Sequence, residues 1–72
     1  MATKRKERRR LRAEHKRMTT EMQTIRRELE QSYRRFNEVR DPMQLDACIF
    51  EINALRAKYN CAVHDLRTLP RQ

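Results

Sequence analysis

Apolar residues return every three or four positions along most of this chain. In the first half they are Leu11, Met18, Met22, Ile25, Leu29, Phe36 and Val39, spaced 7, 4, 3, 4, 7 and 3 apart. One heptad frame holds them all, with Met22, Leu29 and Phe36 at a and Leu11, Met18, Ile25 and Val39 at d. His15 and Ser32 fill the two gaps. In the second half the frame holds Leu45, Cys48, Ile52, Leu55, Tyr59, Ala62, Leu66 and Leu69, with spacings of 3 and 4 throughout. The pattern predicts two amphipathic helices, each with a seam of coiled-coil type.

Arg40-Asp41-Pro42 separates them. A residue before proline is pushed out of the helical region, which ends the first helix. Asp41 suits the N-cap of the second helix and Pro42 its first position. Gln44 completes a capping-box pattern, and Asp41 and Asp46 place carboxylates near the positive end of that helix dipole. Leu69-Pro70 ends the second helix by the same logic as Asp41-Pro42. The expected organisation is a basic N-terminal arm over 1–17, partly helical or frayed, and a helical hairpin over 18–69. Within the hairpin the first helix runs to about residue 39, the turn covers 40–42, and the second helix covers 43–69. A tail of 70–72 follows.

A short break between two long amphipathic helices predicts an antiparallel hairpin. Pairing positions whose numbers sum to 84 sets Val39 on Leu45, Phe36 on Cys48, Ser32 on Ile52, Leu29 on Leu55, Ile25 on Tyr59, Met22 on Ala62, Met18 on Leu66 and His15 on Leu69. Every layer joins an a position to a d position, as an antiparallel coiled coil requires. The alternative is one continuous helix of about 70 residues, bent at Pro42.

Composition supports helix over sheet. There is no Gly and there are only two Pro in 72 residues, so tight β-turns are hard to build. A chain this short sits near the lower limit for folding alone. The formal net charge is +8, and its placement is uneven. Lys4, Arg5, Lys6, Arg8, Arg9, Arg10, Arg12, Lys16 and Arg17 face only Glu7 and Glu14 in residues 1–17, a local net of +7. The rest of the chain is almost neutral. Such an arm suits a polyanion: phosphates of nucleic acid in sequence-independent contacts, or an acidic protein. The excess of Arg over Lys favours phosphate through planar forks. No aromatic is interleaved for base stacking, and the arm lacks the apolar face a membrane surface needs. The bland reading is a solubilising tail.

The second helix carries more apolar surface than one seam uses. Ile49 and Val63 flank the seam, and Ala47, Phe50, Ala54, Ala57 and Cys61 lie on the far side. This surface predicts packing against another helix, most simply from a second copy, which gives a dimeric four-helix bundle. The bland reading is that alanines are good helix formers and one exposed Phe is ordinary.

The stretch from Phe36 to Tyr59 resembles the YaaL-like family, small bacterial proteins, mainly from Firmicutes, classed as a domain of unknown function. The resembling positions are Phe36, Asn37, Asp41, Pro42, Asp46, Ile49, Phe50, Ala54, Lys58 and Tyr59, in about a third of the chain. The resemblance implies a bacterial cytosolic helical protein and carries no activity with it. It places Ile49 and Phe50 within a family pattern.

Catalytic and metal chemistry find little support. Cys61-x-x-His64 puts two ligand types one turn apart, but a site needs three or four. Cys48 and Cys61 lie about 20 Å apart along one helix, too far for a disulfide within the chain, and read as reduced thiols. No Gly-rich phosphate loop, Ser-His-Asp set or Cys-His nucleophile is visible, and a hairpin has no concave pocket. Carboxylates alternate with Arg on helix faces, as Glu30 with Arg34. The expectation is a non-enzymatic binding protein without cofactor, metal or small-molecule substrate. No apolar run reaches membrane-spanning length, so a cytoplasmic location is expected. Two functions compete: a nucleic-acid-associated accessory factor acting through the arm, and an interaction adaptor that docks a partner helix on the second helix.

Overall fold

The structure, a computed structural model, describes residues 2–70. It holds two helices, α1 (Ala2–Glu38) and α2 (Pro42–Thr68), and no strand among the described residues. They fold back on each other as a hairpin 61 × 15 × 12 Å. At about 1.5 Å per residue, α1 alone accounts for roughly 55 Å of the long axis. Of the tail expected at 70–72, only Pro70 falls within the described residues.

The reversal takes three residues. Val39 and Arg40 leave the helix, although the Val39 N–H still donates to the Arg35 carbonyl at 2.9 Å. Asp41 is extended, with φ −70° and ψ 127°, the conformation a following proline demands. Its carbonyl accepts the first bond of α2, from the Leu45 N–H at 2.9 Å. Pro42 takes the first position of α2, as its fixed φ suits, so the helix opens one residue before the expected 43–69 range. Asp41 occupies the N-cap position, as expected, but two expectations about this end are corrected. Its side chain makes no capping hydrogen bond, so the capping box with Gln44 is not closed, and the first turn of α2 itself contains no acidic residue. Asp46 lies one turn in, where the dipole's influence has faded. At the other end Thr68 is the last helical residue, and the Leu69 N–H reaches the Leu66 carbonyl at 3.4 Å.

The seams face each other. Cys48, Ile52 and Leu55 are buried, and every other apolar residue of the two heptad frames is at least partly covered. His15, the polar residue in the first gap, is exposed. Ser32, in the second, is the most buried side chain, at 1% exposure. Its hydroxyl donates to Glu51 Oε1 at 2.7 Å and accepts from Arg35 at 3.2 Å, while Arg35 pairs directly with Glu51. This triad spans the two helices beside the Ser32–Ile52 layer and satisfies a hydroxyl that burial would otherwise penalise by about 1–3 kcal/mol.

The arm is helical. Like charges at i,i+4 repel by a few tenths of a kcal/mol per pair, which favours fraying. α1 nevertheless runs unbroken to Ala2. The packed body of α1 supplies the costly nucleus, so extension adds one bond per residue, through Arg, Lys, Ala, Leu and Glu, all good helix formers. On α1, Glu30 pairs with Arg26 at 3.8 Å rather than with Arg34.

With so few buried residues, each carries a large share of stability. Ile52→Ala is expected to cost about 2–5 kcal/mol. Urea unfolding followed by far-ultraviolet circular dichroism, at a concentration low enough to exclude association, measures the loss.

Candidate functional site

Two surfaces stand out, and they lie on different helices. The first is the basic arm. α1 has 37 residues against 27 in α2, and the short reversal starts both from the same end, so α1 projects past the end of α2. Beyond α2, Pro70 lies beside Leu11 and Glu14, with Glu7 and Arg10 lining the same small hollow. Residues 3–10 are exposed, and so are all nine basic residues assigned to a polyanion. On a helix they occupy most of the circumference. The remaining stripe carries Glu7, Leu11 and Glu14, which continue the line of the seam.

The nine are not equivalent. Lys16 and Arg17 lie alongside α2, in a groove whose far wall includes Lys58, Ala62 and Asp65. Arg17 is bound to Glu14 and, at 3.4 Å, to Glu21. The hydrogen bond from Arg17, and secondarily its charge, hold the Glu14 carboxyl below the usual glutamate range, and Glu14 in turn raises Arg17. None of the seven basic side chains from Lys4 to Arg12 takes part in an ion pair among the described residues. The first turn of α1 also has no acidic residue, so the positive end of the dipole adds to the field of Lys4, Arg5 and Lys6.

The second surface is the outer face of α2. Ala47, Ala54, Ala57 and Cys61 are exposed, Ile49 is 44% exposed and Phe50 77%, while Val63 is half-covered at the edge of the seam. Met43, 81% exposed, belongs with them. Sequence reasoning misses it because it sits beside the turn, yet it lies four residues before Ala47 and extends the same stripe. Asp41 and Pro42, assigned to the turn, occupy it.

No three metal-ligating side chains converge among the described residues. Cys61 lies 3.9 Å from Asp65 Oδ2, and Cys48 is a buried free thiol of the seam. Among the described residues, no helix is long and apolar enough to cross a membrane. In comparison with known proteins, the chain matches no family model, no curated protein and no solved structure.

The paired Glu14 gives the root of the arm a pH dependence. A carboxyl held below its unfolded value stabilises above that value and loses its contribution as pH falls through the lowered one. As pH falls below the ordinary glutamate range and through the lowered Glu14 value, the Glu14–Arg17 pair is expected to open, and repulsion along the arm to go unopposed. Residue-resolved amide exchange should then show faster exchange from Thr3 to Arg17 than across α2. Glu14→Gln should show the faster exchange already at neutral pH.

Proposed function

We propose that this is a small non-enzymatic binding protein whose helical arm docks on the phosphate backbone of a nucleic acid. One observation carries the reading: seven basic side chains, Lys4 to Arg12, stand exposed and without ion pairs on a helix that projects beyond its partner. Such a rod is already ordered, so binding does not pay to fold it. Its width of about 10–12 Å suits a duplex major groove of about 12 Å, where flanking phosphates lie on both sides of it. Arg17, tied to two glutamates, contributes least. An acidic protein partner is the competing ligand for the arm.

The hairpin serves as the scaffold, and the outer face of α2 is the place where a second helix docks. Phe50 and Met43, both more than three-quarters exposed, favour a four-helix bundle of two copies over a lone hairpin. A helix from a different protein is the adaptor reading of the same face. The likeness of residues 36–59 to the YaaL-like pattern supports the inclusion of Ile49 and Phe50 in that face and adds no activity.

Electrophoretic shift titration over salt tests the arm. Each phosphate contact adds about −0.9 to the slope of log affinity against log salt. Six or seven contacts put the slope at roughly −5 to −6. Replacing Arg8, Arg9 and Arg12 with Gln, which keeps helix propensity, should flatten it by about 2–3. An unchanged slope sinks the reading.

A further inference from the structure

The outer face of α2 is a second heptad seam. Met43, Ala47, Phe50, Ala54, Ala57 and Cys61 follow one another at spacings of 4, 3, 4, 3 and 4, and His64 and Thr68 continue the series. This is the periodicity of the buried seam, repeated on the side turned away from α1. The hairpin's surface of 6477 Å² exceeds the roughly 4,800 Å² expected of a compact monomer of its 8.9 kDa.

We infer that two copies pair through this seam with their α2 helices antiparallel, so that the two basic arms emerge at opposite ends of the dimer. The inference rests on the reading of the outer face as a docking surface and adds the occupant's orientation. Charges beside the seam decide it. An antiparallel pair with a-to-d layers matches positions whose numbers sum to 111. Phe50 then meets the partner's Cys61, Ala54 meets Ala57, Ala47 meets His64 and Met43 meets Thr68. The one aromatic faces a small side chain, as Phe36 and Cys48 do in the layer pairing expected of the hairpin.

The flanking positions follow from the same register. Asp46 lies opposite the partner's Arg67, Glu51 opposite Lys58, Gln44 opposite Asp65 and Asn53 opposite Asn60. No like charges meet, and each of the two ion pairs occurs twice by symmetry. Neither Asp46 nor Arg67 has an ion-pair partner within the hairpin among the described residues, and Glu51 meets Ser32 and Arg35 only through Oε1. The parallel alternative puts Asp46 against Glu51 twice and stacks Phe50 on Phe50. It also brings two arms of net +7 to one end, where they repel.

Sedimentation equilibrium on the full chain and its charge variants tests the orientation. The wild type should dimerise. Asp46→Arg should weaken the dimer at least about tenfold, because each new guanidinium faces Arg67 and two attractions become two repulsions. Adding Arg67→Asp should restore it. A parallel dimer predicts the reverse for the single variant, since Asp46→Arg removes a repulsion with Glu51, and tightening would overturn the proposal. So would a wild type that stays monomeric, or a double variant no tighter than the single. Circular dichroism reports whether the variants remain helical. If they do not, Phe50→Cys supplies a second test at a site already 77% exposed. Oxidation should join the introduced thiol to Cys61 of the other copy, mapped by peptide mass. In the antiparallel register the two Cys61 residues lie about 16 Å apart along the axis, beyond disulfide reach, so a predominant Cys61–Cys61 link would overturn the orientation. Dimer mass and nucleic-acid shift are separate readouts, so a failed arm leaves this test standing.

Discussion

Pro42 denies its predecessor the helical conformation, and everything else in the hairpin depends on that local prohibition. Without it the two heptad frames describe one long amphipathic rod with an unpartnered stripe. With Asp41 extended and Pro42 already set for helix, the chain reverses within three residues. The short reversal also removes the freedom to slide. Residues 39 and 45 must be near neighbours, and every later layer is counted from them. The buried hydroxyl of Ser32 reinforces the count, because this register brings Glu51 of α2 to it and to Arg35, its neighbour one turn along α1. A slip by one heptad would set Gln44 or Lys58 in the place of Glu51 and lose the ion pair with Arg35.

Much of this was legible in the sequence because the information was periodic. Met18, Met22, Ile25 and Leu29 repeat at helical spacing, and so do Ile52, Leu55, Tyr59 and Ala62, so a face could be assigned without knowledge of its partner. The helix ends were legible because proline acts on its immediate neighbour. The features that escaped depend on where side chains go rather than on where they start. The Ser32–Arg35–Glu51 triad joins residues on different helices. The expected capping box failed because a permissive sequence does not oblige Asp41 to bend back. Glu30 could choose between Arg26 and Arg34, four residues away on either side, and spacing alone does not rank them. Fraying of the arm is the natural expectation because pairwise repulsion is visible in a sequence, whereas the cooperative support of a packed helix is not.

Charge and apolar surface are separated by helix. The basic arm belongs to α1, while the exposed Met43 and Phe50 belong to α2. Each helix therefore has one face spent on the hairpin and one feature left over. The hairpin core is small enough that neither leftover feature can be counted as structural support. The proposed binding role rests on that division, with one presenting surface on each helix.

The two helices differ in length by ten residues, 37 against 27, and the excess lies at the free end of α1. Ahead of Leu11 nothing on α2 needs to match. An insertion or deletion there alters the reach of the arm by about 1.5 Å and its facing by about 100° per residue, with the seam untouched. A similar change in the paired region shifts every later layer out of frame. Evolution, or a protein engineer, can thus tune the arm as a ruler while the hairpin stays under strict constraint, and the two parts of one continuous helix are free to change at different rates.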